Sequence, residues 1–298
     1  MAFQWRAKVT EADQGRLLRD VLRDRLGISS RMLIDLKYEG NILLNGAAVT
    51  VRARVNTGDV IDLYLAETAD ARLEPEELPL TVIYEDQDLL VVAKPPRVIV
   101  HPVPPEPNGT LANAIAWHWA KQGESRPVRI ITRLDRDTSG LVLVAKHALA
   151  QHWFISRPDM IDKYYWALVK GIPSPGVGLI DAPIAVNPAN PVTRLVDPQG
   201  RSAQTEYQVL RRGKISLVQA RLLTGRTHQI RVHFAWSGHP ILGDEQYGGS
   251  SAHINRQALH CFGLRLVHPR TRQELCLLAP LPEDMQQLLD RGDVHLDQ

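Results

Sequence analysis

The stretch RLDRDTSG, Arg133 to Gly140, interrupts two apolar runs, VRII before it and LVLVAK after it. Strand side chains alternate between faces, so Arg133 and Asp135 share one face while Leu134 turns into the core. Gly140 gives the backbone freedom before LVLVAK resumes as a buried strand. Asp137, Thr138 and Ser139 are residue types that hydrogen-bond nearby backbone N–H groups and stiffen such a connection. Turn formation alone therefore accounts for Asp137. It does not account for Asp135, which a turn does not need and a sheet face disfavours. The pattern predicts a carboxylate held rigidly at a strand end in a basic setting, a group able to engage a substrate directly. Use of Asp135 and Asp137 as an acid–base pair in a hydrolase is the competing chemistry, but no water-activating group accompanies them.

The elements that must position this carboxylate are mostly strands. LTVIYED, LLVVAKP, VRIITRLD, LVLVAK, YYWALVKG, AQTEYQVL, SLVQARLL and HQIRVHFA read as strands, and LANAIAWHWAKQ, ALAQHWFI and PEDMQQLLDRG as helices. No βαβ rhythm and no solenoid repeat runs through them. The expected fold class is α+β, a mixed or antiparallel sheet with scattered helices over residues 79–298. Residues 66–78, ETADARLEPEELP, are acidic, contain proline and lack periodicity, so they read as a linker.

Residues 1–65 read as a separate small α/β module. Leu17, Leu18, Val21, Leu22 and Leu26 fall at helical spacing and end at Gly27. Ser29 or Ser30 caps a second helix carrying Met32, Leu33 and Leu36 before Gly40. Asn45-Gly46 then predicts a tight hairpin. Arg16, Arg19 and Arg23 are spaced to share a helix face, and Arg31 and Lys37 continue the basic character, diluted by Asp20, Asp24 and Asp35. The module resembles the S4-like RNA-binding domain, which implies backbone phosphate contacts from these basic residues.

RLDRDTSGLVLVAK resembles the signature of the RluA family of RNA pseudouridine synthases, H-R-L-D-x-x-T-S-G. It departs at Thr132, where the family usually has histidine. VIYEDQDLLVVAKPPRVIVHP is similar to the family's E-D-x-x-L-L-V-V-x-K-P segment, with Pro96-Arg97 where alanine-glycine is common. NGTLANAI, KYYWALVKG, LLTGRTHQIRVHFAWSGHPILGDEQYGG and RQALHCFGLRLVHP resemble further family segments in the same order. Together these blocks cover about residues 80–280.

The resemblance implies isomerisation of uridine to pseudouridine: the N-glycosidic bond breaks, the uracil turns and rejoins through carbon 5, with no cofactor and no metal. It assigns the reacting carboxylate to Asp135. Arg226 is expected as its ion-pair partner, an arginine suiting the role because its planar fork can hold a carboxylate at two points. Tyr165 is placed against the uracil, as a stacking surface or as a base at carbon 5; Lys163, at the position of the family's lysine, is expected to bind RNA, and Tyr164 to face away into the core. Because a stacked uridine must be flipped out, Arg133 is expected either to fill the vacated space or to contact phosphate.

The chain has 298 residues, a net charge of +2 and a 23% charged fraction, so an anionic partner must be argued from where the charge lies rather than from its sum. Cys261 and Cys276 fit no metal spacing and are expected as reduced, buried thiols. His228 and His233, five apart on an expected strand, would face opposite ways and share no ion. No run approaches a membrane span, so a soluble, cytoplasmic protein is expected; a monomer is also expected. The expected partner is RNA, ribosomal before transfer RNA, with a non-catalytic RNA-binding assembly factor as the alternative from another class.

Overall fold

A computed structural model describes residues 2–38, 42–66, 73–104 and 106–290. Four strands form a first sheet: β1 (Ala2–Lys8), β2 (Ile42–Leu44), β3 (Ala47–Ala48) and β4 (Val60–Ala66), in the order β1-β4-β2-β3. The Asn45-Gly46 pair makes the β2–β3 turn with φ of 53° and 81°, as its composition predicted. The expected helix over Leu17–Leu26 is α1 (Leu18–Asp20) running on into a π-helical turn over Val21–Arg25, with Gly27 left-handed behind it. The second is α2 (Ser30–Tyr38). Its expected stop at Gly40 lies outside the described residues, as does the Arg31 side chain. Of the expected linker, residues 67–72 are also outside them, and 73–80 carry neither helix nor strand.

The second sheet has ten strands. In chain order the elements are β5 (Thr81–Glu85), β6 (Leu89–Lys94), α3 (Leu111–Lys121), β7 (Arg129–Ile130), β8 (Ser139–Ala145), α4 (Ala148–Ser156), β9 (Ile161–Lys170) and β10 (Val177–Asp181). A small separate hairpin, β11 (Ile184–Val186) and β12 (Arg194–Val196), follows, then β13 (Gln204–Arg211), β14 (Ile215–Leu222), α5 (Gln229–Trp236), β15 (Leu259–Val267), β16 (Glu274–Leu278) and α6 (Glu283–Asp290). The strand path is β10-β13-β14-β9-β15-β8-β6-β5, with β16 added beside β15 and β7 beside β8. The β15–β8 pair is parallel and the other pairs antiparallel, giving the mixed sheet of the expected α+β class.

Strands β6 and β8 are almost wholly apolar because both of their faces are covered. On β6 and β8, Leu89, Val91, Leu141 and Leu143 face the main core, while Leu90, Val92, Val142 and Val144 face a second core under α3. Each such side chain contributes roughly 1.5–3 kcal/mol by leaving water. Thr110 caps α3, its hydroxyl accepting from Asn113 N at 3.3 Å while Asn113 reaches back to Thr110 N at 3.1 Å.

One expected element changes type. HQIRVHFA is helix α5, not a strand, and Gln229 to Phe234 are all buried in it. The first sheet packs on the second through few but specific contacts. Trp5 lies edge-on to His147 at 5.4 Å and beneath the Arg270 guanidinium at 4.2 Å, Leu149 enters the first sheet's core, and Arg272 donates to the Arg25 carbonyl at 2.8 Å. Arg270 is held in turn by Asp88, at 2.7 and 2.6 Å.

Candidate active site

The β7–β8 pairing, Arg129↔Ala145 and Ile130↔Val144, closes the interrupted hairpin. Residues 131–138 leave the sheet, so Asp135 is placed by a loop rather than by strand alternation. Thr132, at the position of the family histidine, spans the opening: its hydroxyl accepts from Leu143 N at 2.9 Å. Leu134 packs between the two cores as expected, and Arg133 is exposed. A turn bond from Thr138 N to the Asp135 carbonyl, 3.2 Å, shapes the tip.

Three residues from other parts of the chain clamp this loop. Lys94, 1% exposed, donates to the carbonyls of Pro95, Val98 and Arg136 at 2.8, 2.7 and 2.8 Å. Burial pushes its pKa down to about 7, with Asp137 and Asp135 pulling back. Arg256 donates to the Asp137 carbonyl at 3.1 Å while gripping Asp284 of α6 at 2.6 and 2.8 Å, and Gln257 donates to Thr138 Oγ1 at 3.2 Å. Behind them, Gly140 has φ of 116°, and a Cβ there would overlap the Cys261 carbonyl on the parallel neighbour β15. Arg97, standing where the family commonly has glycine, adopts a φ of 67° and donates to Asn255 at 2.8 Å.

Asp135, with its side chain 28% exposed, accepts through Oδ2 from Arg231 Nη1 at 3.0 Å. Here the sequence expectation is corrected: the partner is Arg231 of α5, not Arg226. Arg226 turns away, its Nε donating to the Ser202 carbonyl at 2.9 Å. Arg231 is 5% exposed and also holds Asp244, through Nε at 2.7 Å and Nη2 at 2.9 Å, and Gln246 at 2.6 Å. Burial works against its charge, but Asp244 and Asp135 outweigh it and hold the guanidinium above its ordinary pKa. The Tyr247 ring covers it at 4.9 Å.

Tyr165, on β9 opposite Ala220 and Cys261, is 4% exposed. Burial first, then Cys261 and Asp135, raises its phenol well above the ordinary value, which keeps the group neutral and disfavours work as a base. Lys163 shares this face of β9, with Nζ close to Gly225. Its pKa is lowered by burial, with Cys261 acting in the other direction. Tyr164 faces the other side but is only half-buried, packing near Phe262 at 6.4 Å rather than in the core. Cys261 is buried, and burial pushes its thiol up to about 12, while Cys276 is exposed, contrary to expectation.

The histidines of α5 have separate roles. His233 is satisfied in the core by Thr205 Oγ1 at 2.9 Å and the Ala182 carbonyl at 3.0 Å, and His228 stands beside Asp135. In the first module, Arg16 is engaged by Asp13 and Asp24 and Arg19 by Asp20. Arg23 and Lys37 are exposed with no ion pair among the described residues.

The arrangement brings one carboxylate, fixed by a buried arginine, near a buried neutral tyrosine. The sequence profile of the family described as RNA pseudouridylate synthase matches residues 88–236, a span that holds Asp135, Tyr165 and Arg231. The chain belongs to the RNA pseudouridine synthase family. It is 40% identical to the Uncharacterized RNA pseudouridine synthase YjbO of Bacillus subtilis (strain 168), over 91% of this chain and 97% of that one. It is 36% identical to the Ribosomal large subunit pseudouridine synthase D of Pasteurella multocida (strain Pm70), over 98% of this chain and 96% of the relative. Among solved structures, Human RNA Pseudouridylate Synthase Domain Containing 1 superposes with a TM-score of 0.58 at 26% identity, covering 75% of this chain and 98% of that one. The pseudouridine synthase is thus an isomerase acting on RNA. No helix among the described residues is long and apolar enough to cross a membrane.

Proposed function

We propose that this pseudouridine synthase is of the RluA type and isomerises uridine in large-subunit ribosomal RNA, as a cytoplasmic monomer. The substrate class rests on relatives named as large-subunit ribosomal enzymes that align along almost the whole chain. The observation that carries the chemical reading is the Asp135–Arg231 contact of 3.0 Å beside Tyr165. Arg231 orients the carboxylate, Asp135 engages the nucleoside as its glycosidic bond breaks, and Tyr165 packs against the turning uracil. Exposed Arg133, two residues from Asp135, takes the space left by the flipped base. Residues 1–65 serve as an S4-like RNA-binding module. In it the exposed Arg23 and Lys37, without an ion pair among the described residues, contact phosphate more directly than Arg16 and Arg19, whose charges are already met by aspartates.

The test is tritium release from transcripts carrying carbon-5-labelled uridine, ribosomal and transfer RNA in parallel, with Asp135→Asn beside the native protein. Release from the ribosomal transcript that the variant loses supports the reading. Release from transfer RNA alone replaces the substrate, and activity in purified Asp135→Asn removes the chemical role.

A further inference from the structure

Asp135 has a second neighbour on the side away from Arg231. While Oδ2 accepts from Arg231, Oδ1 lies 4.0 Å from Nε2 of His228. The position of the proton on that ring follows from its surroundings. The Tyr247 hydroxyl oxygen accepts from the Arg194 backbone N–H at 2.9 Å and lies 2.8 Å from His228 Nδ1. If Nδ1 carried the proton, the half-buried tyrosine would be left with a hydroxyl proton and no acceptor among the described residues. The hydroxyl therefore donates to Nδ1, and the neutral ring bears its proton on Nε2, the nitrogen nearer the carboxylate.

The ring is also mechanically fixed. It meets Tyr247 edge-on, centroids 5.7 Å apart at 82°, and the same tyrosine covers Arg231. His228 caps α5 in the left-handed region, φ 57° and ψ 20°, where non-glycine residues are uncommon and which gathers at functional sites. Burial lowers its pKa, Asp135 and Asp244 opposing and Arg231 and Arg194 reinforcing the shift, so the neutral ring prevails at pH 7.

We propose that His228 is a positioning residue for Asp135: its Nε2–H closes onto Oδ1 when RNA fills the site and, with Arg231 on Oδ2, sets the plane of the carboxylate. A carboxylate held at one oxygen can still swing about its last torsion, and a second donor removes that freedom. Hydrogen bonds in catalytic sites commonly tighten from such distances as substrate binds. The proposal rests on Asp135 being the reacting group.

Glutamine and asparagine at position 228 test it. Glutamine carries an amide N–H to nearly the reach of Nε2. Asparagine tolerates the left-handed backbone but falls short of Asp135. On the transcript that the native enzyme modifies, His228→Asn and His228→Ala are expected to lower kcat by about 10- to 100-fold with KM within about threefold. His228→Gln is expected to recover most of the loss, and Tyr247→Phe to fall between. Thermal unfolding of each variant identifies any that do not fold, and the asparagine–glutamine comparison stands without the alanine variant. Asparagine and glutamine variants with equal kcat overturn the proposal, as does a raised KM at native kcat, which would make His228 an RNA contact. Activity in Asp135→Asn would instead overturn the reading beneath it.

Discussion

Arg231 is shared between two carboxylates of unequal exposure: Asp244, 1% exposed, holds it through two bonds, and Asp135, 28% exposed, takes the third direction at 3.0 Å. The buried aspartate fixes the fork, so Asp135 meets a cation whose position is set before RNA arrives. Such preorganisation spends no substrate binding on aligning the pair.

Replacing Arg231 by methionine should therefore do two kinds of damage. Leaving Asp244 buried without a partner is expected to cost about 3–5 kcal/mol, read from the urea midpoint. Single-turnover tritium release should fall by roughly 100-fold or more, since the orientation of Asp135 is lost as well. Arg226→Ala should keep kcat within about threefold, and a loss as large as that of Arg231→Met would restore Arg226 to the site.

The block GRTHQIRVH contains both arginines; the resemblance to the family put the ion pair on Arg226, and the segment was also expected as a strand. Ile230, Val232 and Phe234 alternate with Gln229, Arg231 and His233, which is the pattern of a strand. In the fold that segment is a helix buried on every side, so no apolar stripe marks it and the polar residues are found inside. Gly238, left-handed just after the helix, and Pro240 beyond it were the local stop signals. Asp135 was legible because a carboxylate that no turn requires stands out, although it was expected at a strand end rather than in a loop. Lys94, Arg256 and His228 were not, because their roles depend on carbonyls and rings brought from distant segments.

Lys94→Met should loosen the loop that bears Asp135 while keeping the apolar stem. Three carbonyls lose their donor, and a stability loss of about 2–4 kcal/mol is expected, with kcat falling more than RNA affinity. Hydrogen exchange at residues 133–140 should accelerate, and unchanged protection there would mean that the loop holds without its clamp.

Gly140→Ala should be far worse than Gly46→Ala, although both glycines have positive φ, 116° and 81°. A methyl group at 46 meets open space, whereas at 140 it meets the Cys261 backbone. The expected losses are about 1 kcal/mol at 46 and more than about 3 kcal/mol at 140, compared by denaturant unfolding. Similar values at both positions would contradict the tight β8–β15 approach.

Acid should weaken the fold through His260. Burial pushes its pKa down to about 4, against 6.5 for the free side chain. Between those values the unfolded chain binds a proton that the folded one refuses, so its stabilisation is complete above pH 6.5 and is lost as pH falls toward 4. The shift corresponds to about 3 kcal/mol. Urea midpoints at pH 7 and 4.5 should differ less in His260→Gln than in the native protein, and identical slopes would assign the acid sensitivity elsewhere.

Arg256 lies 119 residues beyond the Asp137 carbonyl that it holds and 28 before Asp284, its counter-ion on α6. During synthesis the loop bearing Asp135 therefore leaves the ribosome long before the residues that immobilise it. A nascent chain would carry the Asp135 carboxylate yet lack its fixed orientation until α6 emerges, so modification is expected to begin only after α6 has been made. A chain cut before Glu283 should accordingly turn over slowly in the tritium assay although Arg231 and His228, which face Asp135, are present.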